Sequence, residues 1–181
     1  MIKKAVEFAT KAHEGQVRKG TKRPYIVHPL EVGDIVSKMT DDEEVIAAAV
    51  LHDTIEDCAE VTEELLRQEF GERVASMVAH ESEDKTKSWK ERKSATIASL
   101  KIAPKEIQYI GLADKLSNMR DIARDYPVYG EELWNRFRMK DKQVIGWYYI
   151  EIMKSLESLK GMAAYEEYCQ LVKAHFGEYY R

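Results

Sequence analysis

Residues 47–57 read AAAVLHDTIED: five small or apolar residues (Ala47, Ala48, Ala49, Val50, Leu51), then His52 and Asp53, and one turn later Glu56 and Asp57. An apolar run without Gly or Pro suits a buried helix segment. The end of that segment then delivers one imidazole and three carboxylates into a small volume. Burying a carboxylate costs several kcal/mol unless something compensates, and a metal ion is the usual compensation.

Around this stretch the chain has 181 residues and is 44% hydrophobic, enough for one compact domain over 1–181 with a sizeable core. No apolar run approaches the roughly 20 residues that span a bilayer. The beginning, MIKKAVEFATKAHEG, carries two lysines but no continuous apolar core after them, so it does not read as a secretion signal. Cys58 and Cys169 lie far apart and read as two reduced thiols of a cytoplasmic protein. A net charge of -4 argues against general nucleic-acid binding but leaves room for a small anionic substrate.

Helical spacing runs over residues 2–13 and stops at Gly15. The loop GQVRKGTKRPY, residues 15–25, carries Arg18, Lys19, Lys22 and Arg23, with Lys11 just before it. Such a charge run is a solvated loop or an anion site. Its place directly before His28 favours the second. His28-Pro29 opens a helix, with His28 at the N-cap edge. Thr40–Glu43 reads as a capping box that starts the helix ending at His52. Thr62 caps a helix stopped by Gly71, and a shorter one follows from Glu72 to His80. After the polar stretch 81–87, a helix is expected to about Ile102, and another from Pro104 to Pro127. Asp114 falls beside the apolar stripe of that helix, with Asn118 at i+4 on the same face. Residues 131–159 read as one long helix and Met162 to Phe176 as the last. Apolar alternation at period 2 is absent, so the class is all-α with about eight to ten helices.

Three separate segments thus offer metal-type ligands: His28, His52 with Asp53, and Asp114. A mixed imidazole–carboxylate set suits Mn²⁺, Fe²⁺ or Zn²⁺ better than Ca²⁺ and leaves positions for water and substrate. Asp114 is the most telling, because Lys115 points about 100° away and is poorly placed to be its partner.

Three stretches in order, KAHEGQVRKGTKRPYIVHPLEV, AAAVLHDTIED and LADKLSNMRD, resemble the histidine-aspartate (HD) phosphohydrolase superfamily. More narrowly they resemble the Rel/SpoT-type hydrolases of guanosine tetra- and pentaphosphate, over about residues 5 to 155. Without a synthetase domain, the chain is similar to the small stand-alone alarmone hydrolases of bacteria and to the metazoan SpoT homologue. The resemblance implies Mn²⁺ (with Zn²⁺, Fe²⁺ or Co²⁺ as alternatives) held by His28, His52, Asp53 and Asp114. It implies Glu56 and Asp57 as the catalytic pair that orients and activates the attacking water. It implies Arg18 and Lys19 against the guanine base, Asn118 on the nucleoside, Lys85 near the phosphates, and Tyr148 or Tyr149 lining the pocket. Asp121 and Arg124 depart from the long bifunctional enzymes, and an acidic Asp121 near the base would alter purine preference.

The implied reaction is hydrolysis of the 3′-pyrophosphate to GDP or GTP plus pyrophosphate. Two other readings use the same residues: a phosphatase acting on another phosphorylated nucleotide such as NADPH, and a module that binds a nucleotide without turnover. The intact Glu56-Asp57 pair argues against the last. Aromatic residues in the last two helices, read as exposed, would permit a homodimer.

Overall fold

A computed structural model describes residues 1–180. It is helical, with ten α-helices and three short 3-10 turns, and no strand among the described residues. The nearest thing to a sheet is one isolated antiparallel bridge between Val17 and Pro24. The chain forms two compact units: Met1–Glu83 with Lys105–Asp114, and Asp84–Pro104 with Lys115–Arg181.

The first unit is organised around α3 (Glu43–Leu51). Every residue from Val45 to Leu51 is buried, as expected of a helix that is apolar all round. Against it lie α1 (Ile2–Ala12), α2 (Val27–Ser37) and α6 (Glu72–Glu81), with α5 (Glu63–Phe70) on α6. The one-turn helix α4 (Thr54–Asp57) follows α3, and the start of α8 (Lys105–Tyr129) completes the unit. Burial of Val45, Ile46, Val50 and Leu51 stabilises the unit by about 1.5–3 kcal/mol each. The three alanines between them keep the helix narrow, so its neighbours approach closely. One such close approach is at Gly33 of α2, where a Cβ would sit 2.5 Å from Val50 Cγ2.

The start of α3 differs from the expected capping box. Asp42, not Thr40, is the N-cap: its Oδ1 accepts from the Glu44 amide at 3.0 Å, while Thr40 Oγ1 accepts from the Asp42 amide at 3.2 Å. Arg73 of α6 then reaches both Asp42 Oδ2 (2.8 Å) and Glu44 Oε2 (2.6 Å), so the helix start is tied to its neighbour. Thr62 caps α5 as expected, and Gly71 ends it with a φ of 91°.

In the second unit α9 (Lys142–Ser155) lies between α7 (Trp89–Ile102) and α10 (Ala163–Phe176). The expected long helix over residues 131–159 is instead a 3-10 segment Gly130–Arg136, an extended break at Phe137, α9, and a 3-10 turn Glu157–Leu159. Tertiary anchors override the helical spacing here. Trp134 packs its ring 5.5 Å from Phe176, Arg136 Nη1 donates to Asp125 at 2.8 Å, and Asp141 caps a new helix through the Gln143 and Val144 amides. Helix α8 also runs past Pro127 to Tyr129 and ends at Gly130, whose φ is 55°. Proline there removes one hydrogen bond of the last turn, which the helix absorbs.

The main aromatic residues of the last two helices are buried, not exposed. Tyr148, Tyr149, Tyr165, Tyr168 and Phe176 form the core of the second unit. Burial is tolerable because Tyr168 and Tyr165 donate to the carbonyls of Tyr149 and Met153, each at 2.8 Å.

Gly33→Val is expected to destabilise the protein by about 1–3 kcal/mol through overpacking against Val50. Adding Val50→Ala to it should recover part of that loss. Urea melts of the two single variants and the double variant check this; a wild-type midpoint for Gly33→Val would refute the close approach of α2 and α3.

Candidate metal centre

The sequence positions the site through helix ends. His28 lies in the first turn of α2, whose N-cap is Ile26, so it is inside the helix and not at its edge. His52 and Asp53 follow the last residue of α3, and Asp114 lies on α8. His28, His52 and Asp114 are all buried, with ligand atoms within 4.8 Å of one another. Asp53 closes the group. His28 Nε2 is 3.2 Å from Asp114 Oδ1 and 3.5 Å from Asp53 Oδ2; His52 Nε2 is 3.0 Å from Asp53 Oδ2 and 3.7 Å from Asp114 Oδ1. Metal–ligand bonds of about 2.0–2.2 Å put neighbouring donors roughly 3.0–3.6 Å apart. The four donors fit a first-row divalent ion.

The tautomer of His52 sharpens this test. Its Nδ1 donates to the Ala49 carbonyl at 2.8 Å. In the neutral ring the proton is then on Nδ1, and Nε2 presents a lone pair. That buried Nε2 has no hydrogen-bond partner, although two carboxylate oxygens are close by. A lone pair facing carboxylate oxygens is repulsive unless a cation lies between them. Protein groups alone answer with a proton. Burial disfavours charge on His52, but Asp53 and Asp114 outweigh it and lift its pKa well above the ordinary histidine range. Asp53 is held far below the usual carboxylate range: burial pushes it up, and the two imidazoles more than offset that. His28 goes the other way, lowered by burial and only partly restored by the carboxylates.

Around the cluster, α4 continues the chain so that the Asp57 amide donates to the Asp53 carbonyl at 2.9 Å. This keeps Glu56 and Asp57 one turn after His52 and Asp53, as the spacing predicts. Glu56 is half-buried and Asp57 exposed. The basic loop is folded rather than splayed. The Arg18 amide donates to the Arg23 carbonyl and the Tyr25 amide to the Gln16 carbonyl, each at 2.9 Å. Gly15 and Gly20 take positive φ values of 80° and 69°, a conformation that costs glycine little. Arg18 lies over the Tyr25 ring at 5.4 Å, and Lys19 is exposed.

The remaining expected substrate residues belong to the second unit. Lys85 is exposed in the turn before α7, and Asn118 is half-buried on α8. Tyr148 is buried, with Lys93 Nζ 5.0 Å and Lys115 Nζ 5.7 Å from its ring centre. Asp121 is paired with Arg124 at 2.9 Å, so its charge is compensated locally. The residue that sequence reasoning missed is Tyr25. It read only as the end of a loop, whereas its hydroxyl donates to Asp53 Oδ2 at 2.5 Å and lies 3.3 Å from Asp57 Oδ2. Burial, then the charge of Asp53 and the hydrogen bond to it, push this hydroxyl far above the ordinary tyrosine range, so it remains a donor.

Residues 5–135 match the model of the HD domain family. The chain is 37% identical over 144 residues to the guanosine-3′,5′-bis(diphosphate) 3′-pyrophosphohydrolase MESH1 of Xenopus tropicalis, covering 78% of each chain. Among solved structures, the Listeria monocytogenes protein lmo0812 superposes with a TM-score of 0.77 at 34% identity, over 83% of this chain and 99% of that one. A metazoan ortholog of SpoT, described as hydrolysing ppGpp and playing a role in starvation responses, superposes with a TM-score of 0.79 at 27% identity, over 97% and 95% of the two chains. The match to the family model over most of the chain and the overlap with these relatives agree with the buried His–Asp cluster: the chain belongs to the HD domain family.

Proposed function

We propose that residues 1–181 work as one metal-dependent phosphohydrolase that removes the 3′-pyrophosphate of guanosine tetra- and pentaphosphate, leaving GDP or GTP and ending a starvation signal. The observation that carries this reading is the buried set of four donors with the Nε2 lone pair of His52 aimed at carboxylate oxygens. The relatives that share most of the chain's length, named for this reaction, supply the substrate class.

His28, His52, Asp53 and Asp114 would hold the ion, for which Mn²⁺ is the first choice. When bound, a divalent ion supplies Lewis acidity, drawing electron density from a phosphoryl oxygen and making water easier to deprotonate near neutral pH. Glu56 and Asp57 take the proton from the attacking water; the exposure of Asp57 suits a group that must return that proton to solvent. Arg18 stacks its planar guanidinium on the guanine and Lys19 adds a point charge beside it. Lys85 would neutralise phosphate charge, and Asn118 and Tyr148 would contact the nucleoside. Two free cysteines, Cys58 and Cys169, support a cytoplasmic setting. No helix among the described residues is long and apolar enough to cross a membrane.

The decisive assay incubates chelator-stripped protein with guanosine tetraphosphate, with and without Mn²⁺. Manganese-dependent release of GDP and pyrophosphate is expected. Release of inorganic phosphate from NADPH instead would keep the metal centre and overturn the substrate. Asp114→Ala should lose the ion as well as activity; full metal content after dialysis would remove Asp114 from the ligand set. Arg18→Ala should raise KM more than it lowers kcat, and an unchanged KM would take Arg18 out of the substrate site.

A further inference from the structure

Tyr25 touches both halves of the chemistry just described. Its hydroxyl donates to Asp53 Oδ2, the same oxygen that faces both imidazoles, and lies 3.3 Å from Asp57 Oδ2. Its ring carries the Arg18 guanidinium at 5.4 Å on the loop side and packs 4.8 Å from the buried His13 ring and 5.9 Å from His28. His13 in turn shares a 2.8 Å hydrogen bond with Gln16 Oε1, and Gln16 Nε2 donates to the Asp57 carbonyl at 3.0 Å. The ring is thus fixed from several directions, and the hydroxyl is a fixed donor between two carboxylates.

We propose that Tyr25 is a positioning residue, resting on the function proposed above: its hydroxyl sets the orientation of the ligand Asp53 and keeps the base Asp57 beside it, while its ring seats Arg18 for the base of the nucleotide. The phenol proton is shared unequally: its short bond goes to Asp53 and only the long 3.3 Å contact reaches Asp57, which holds Asp57 near while leaving its basic lone pairs available. Groups that orient metal ligands in this way typically alter metal affinity or activity by about 10–100-fold when removed.

Two substitutions separate the parts. Tyr25→Phe keeps the ring and loses the hydroxyl; it should lower kcat by about 10–100-fold, leave KM within about twofold, and weaken Mn²⁺ binding by about tenfold or more. Mn²⁺ binding is read by electron paramagnetic resonance titration of the chelator-stripped protein, with thermal melts showing that both variants are folded. Tyr25→Leu removes ring and hydroxyl, and should add a rise in KM to the same loss. Wild-type Mn²⁺ affinity and kcat in Tyr25→Phe would overturn the proposal. So would a Tyr25→Leu defect that Tyr25→Phe fully restores, since the role would then belong to the ring alone. If the wild type releases no pyrophosphate, the functional reading fails by itself; the Mn²⁺ titration needs no turnover and still decides the role of the hydroxyl.

Discussion

The site depends on one constraint: the Nδ1 proton of His52 is committed to the Ala49 carbonyl, so Nε2 of the neutral ring presents a lone pair to carboxylate oxygens of Asp53 and Asp114 at 3.0 and 3.7 Å. Four lone-pair donors crowded into one volume are unstable unless positive charge enters, as a proton or as a cation. Burial makes the demand severe, since His28 and His52 are each only 2–3% exposed. A proton satisfies one pair at a time. A divalent ion satisfies all four donors together, with both imidazoles neutral. The charge deficit and the donor spacing therefore point to the same occupant.

That constraint is built from ordinary features of helix termini. The last carbonyls of an α-helix have no amide partner within the helix. Here the Ala49 carbonyl takes the His52 ring and the Leu51 carbonyl takes the buried Thr54 hydroxyl at 2.7 Å, so the end of α3 is satisfied while it orients a ligand. Upstream, the close seat of α2 on α3 at Gly33 brings His28 alongside. The apolar centre of α3 makes the arrangement rigid enough to hold charge in the interior. Stability and site share the same residues, and the small side chains of the AAAVL run serve both.

Much of this was legible in the sequence because it is local. The apolar run ending in His-Asp, the helix start at Thr62 and stop at Gly71, and the awkward carboxylate of Asp114 all follow from short-range rules, and the structure brings His28, His52, Asp53 and Asp114 together. What failed depended on contacts distant in sequence. The break after Trp134 comes from its packing on Phe176, which spacing does not reveal. The burial of the α9 and α10 aromatics depends on tyrosine hydroxyls finding backbone carbonyls on the facing helix. The cap at Asp42 displaced Thr40 because Arg73, some thirty residues on, reinforces it. Tyr25 went unread because its partner Asp53 is 28 positions away.

The basic loop before His28 shows the same logic. It has no apolar core of its own, with Val17 exposed at 53%, so backbone hydrogen bonds, two left-handed glycines and the Tyr25 ring must order it. Order of that kind makes Arg18 and Lys19 unequal. Arg18 is half-buried, and its planar group already lies on one aromatic face; Lys19 is exposed, with a flexible stem. A seated guanidinium loses little freedom when a second flat ring arrives, whereas a mobile ammonium gives charge without direction. Under the function proposed above, Arg18 would read the flat face of the base and Lys19 would add charge beside it. Because Tyr25 holds Arg18 through its ring and Asp53 through its hydroxyl, the basic loop and the buried His–Asp cluster become one mechanical unit.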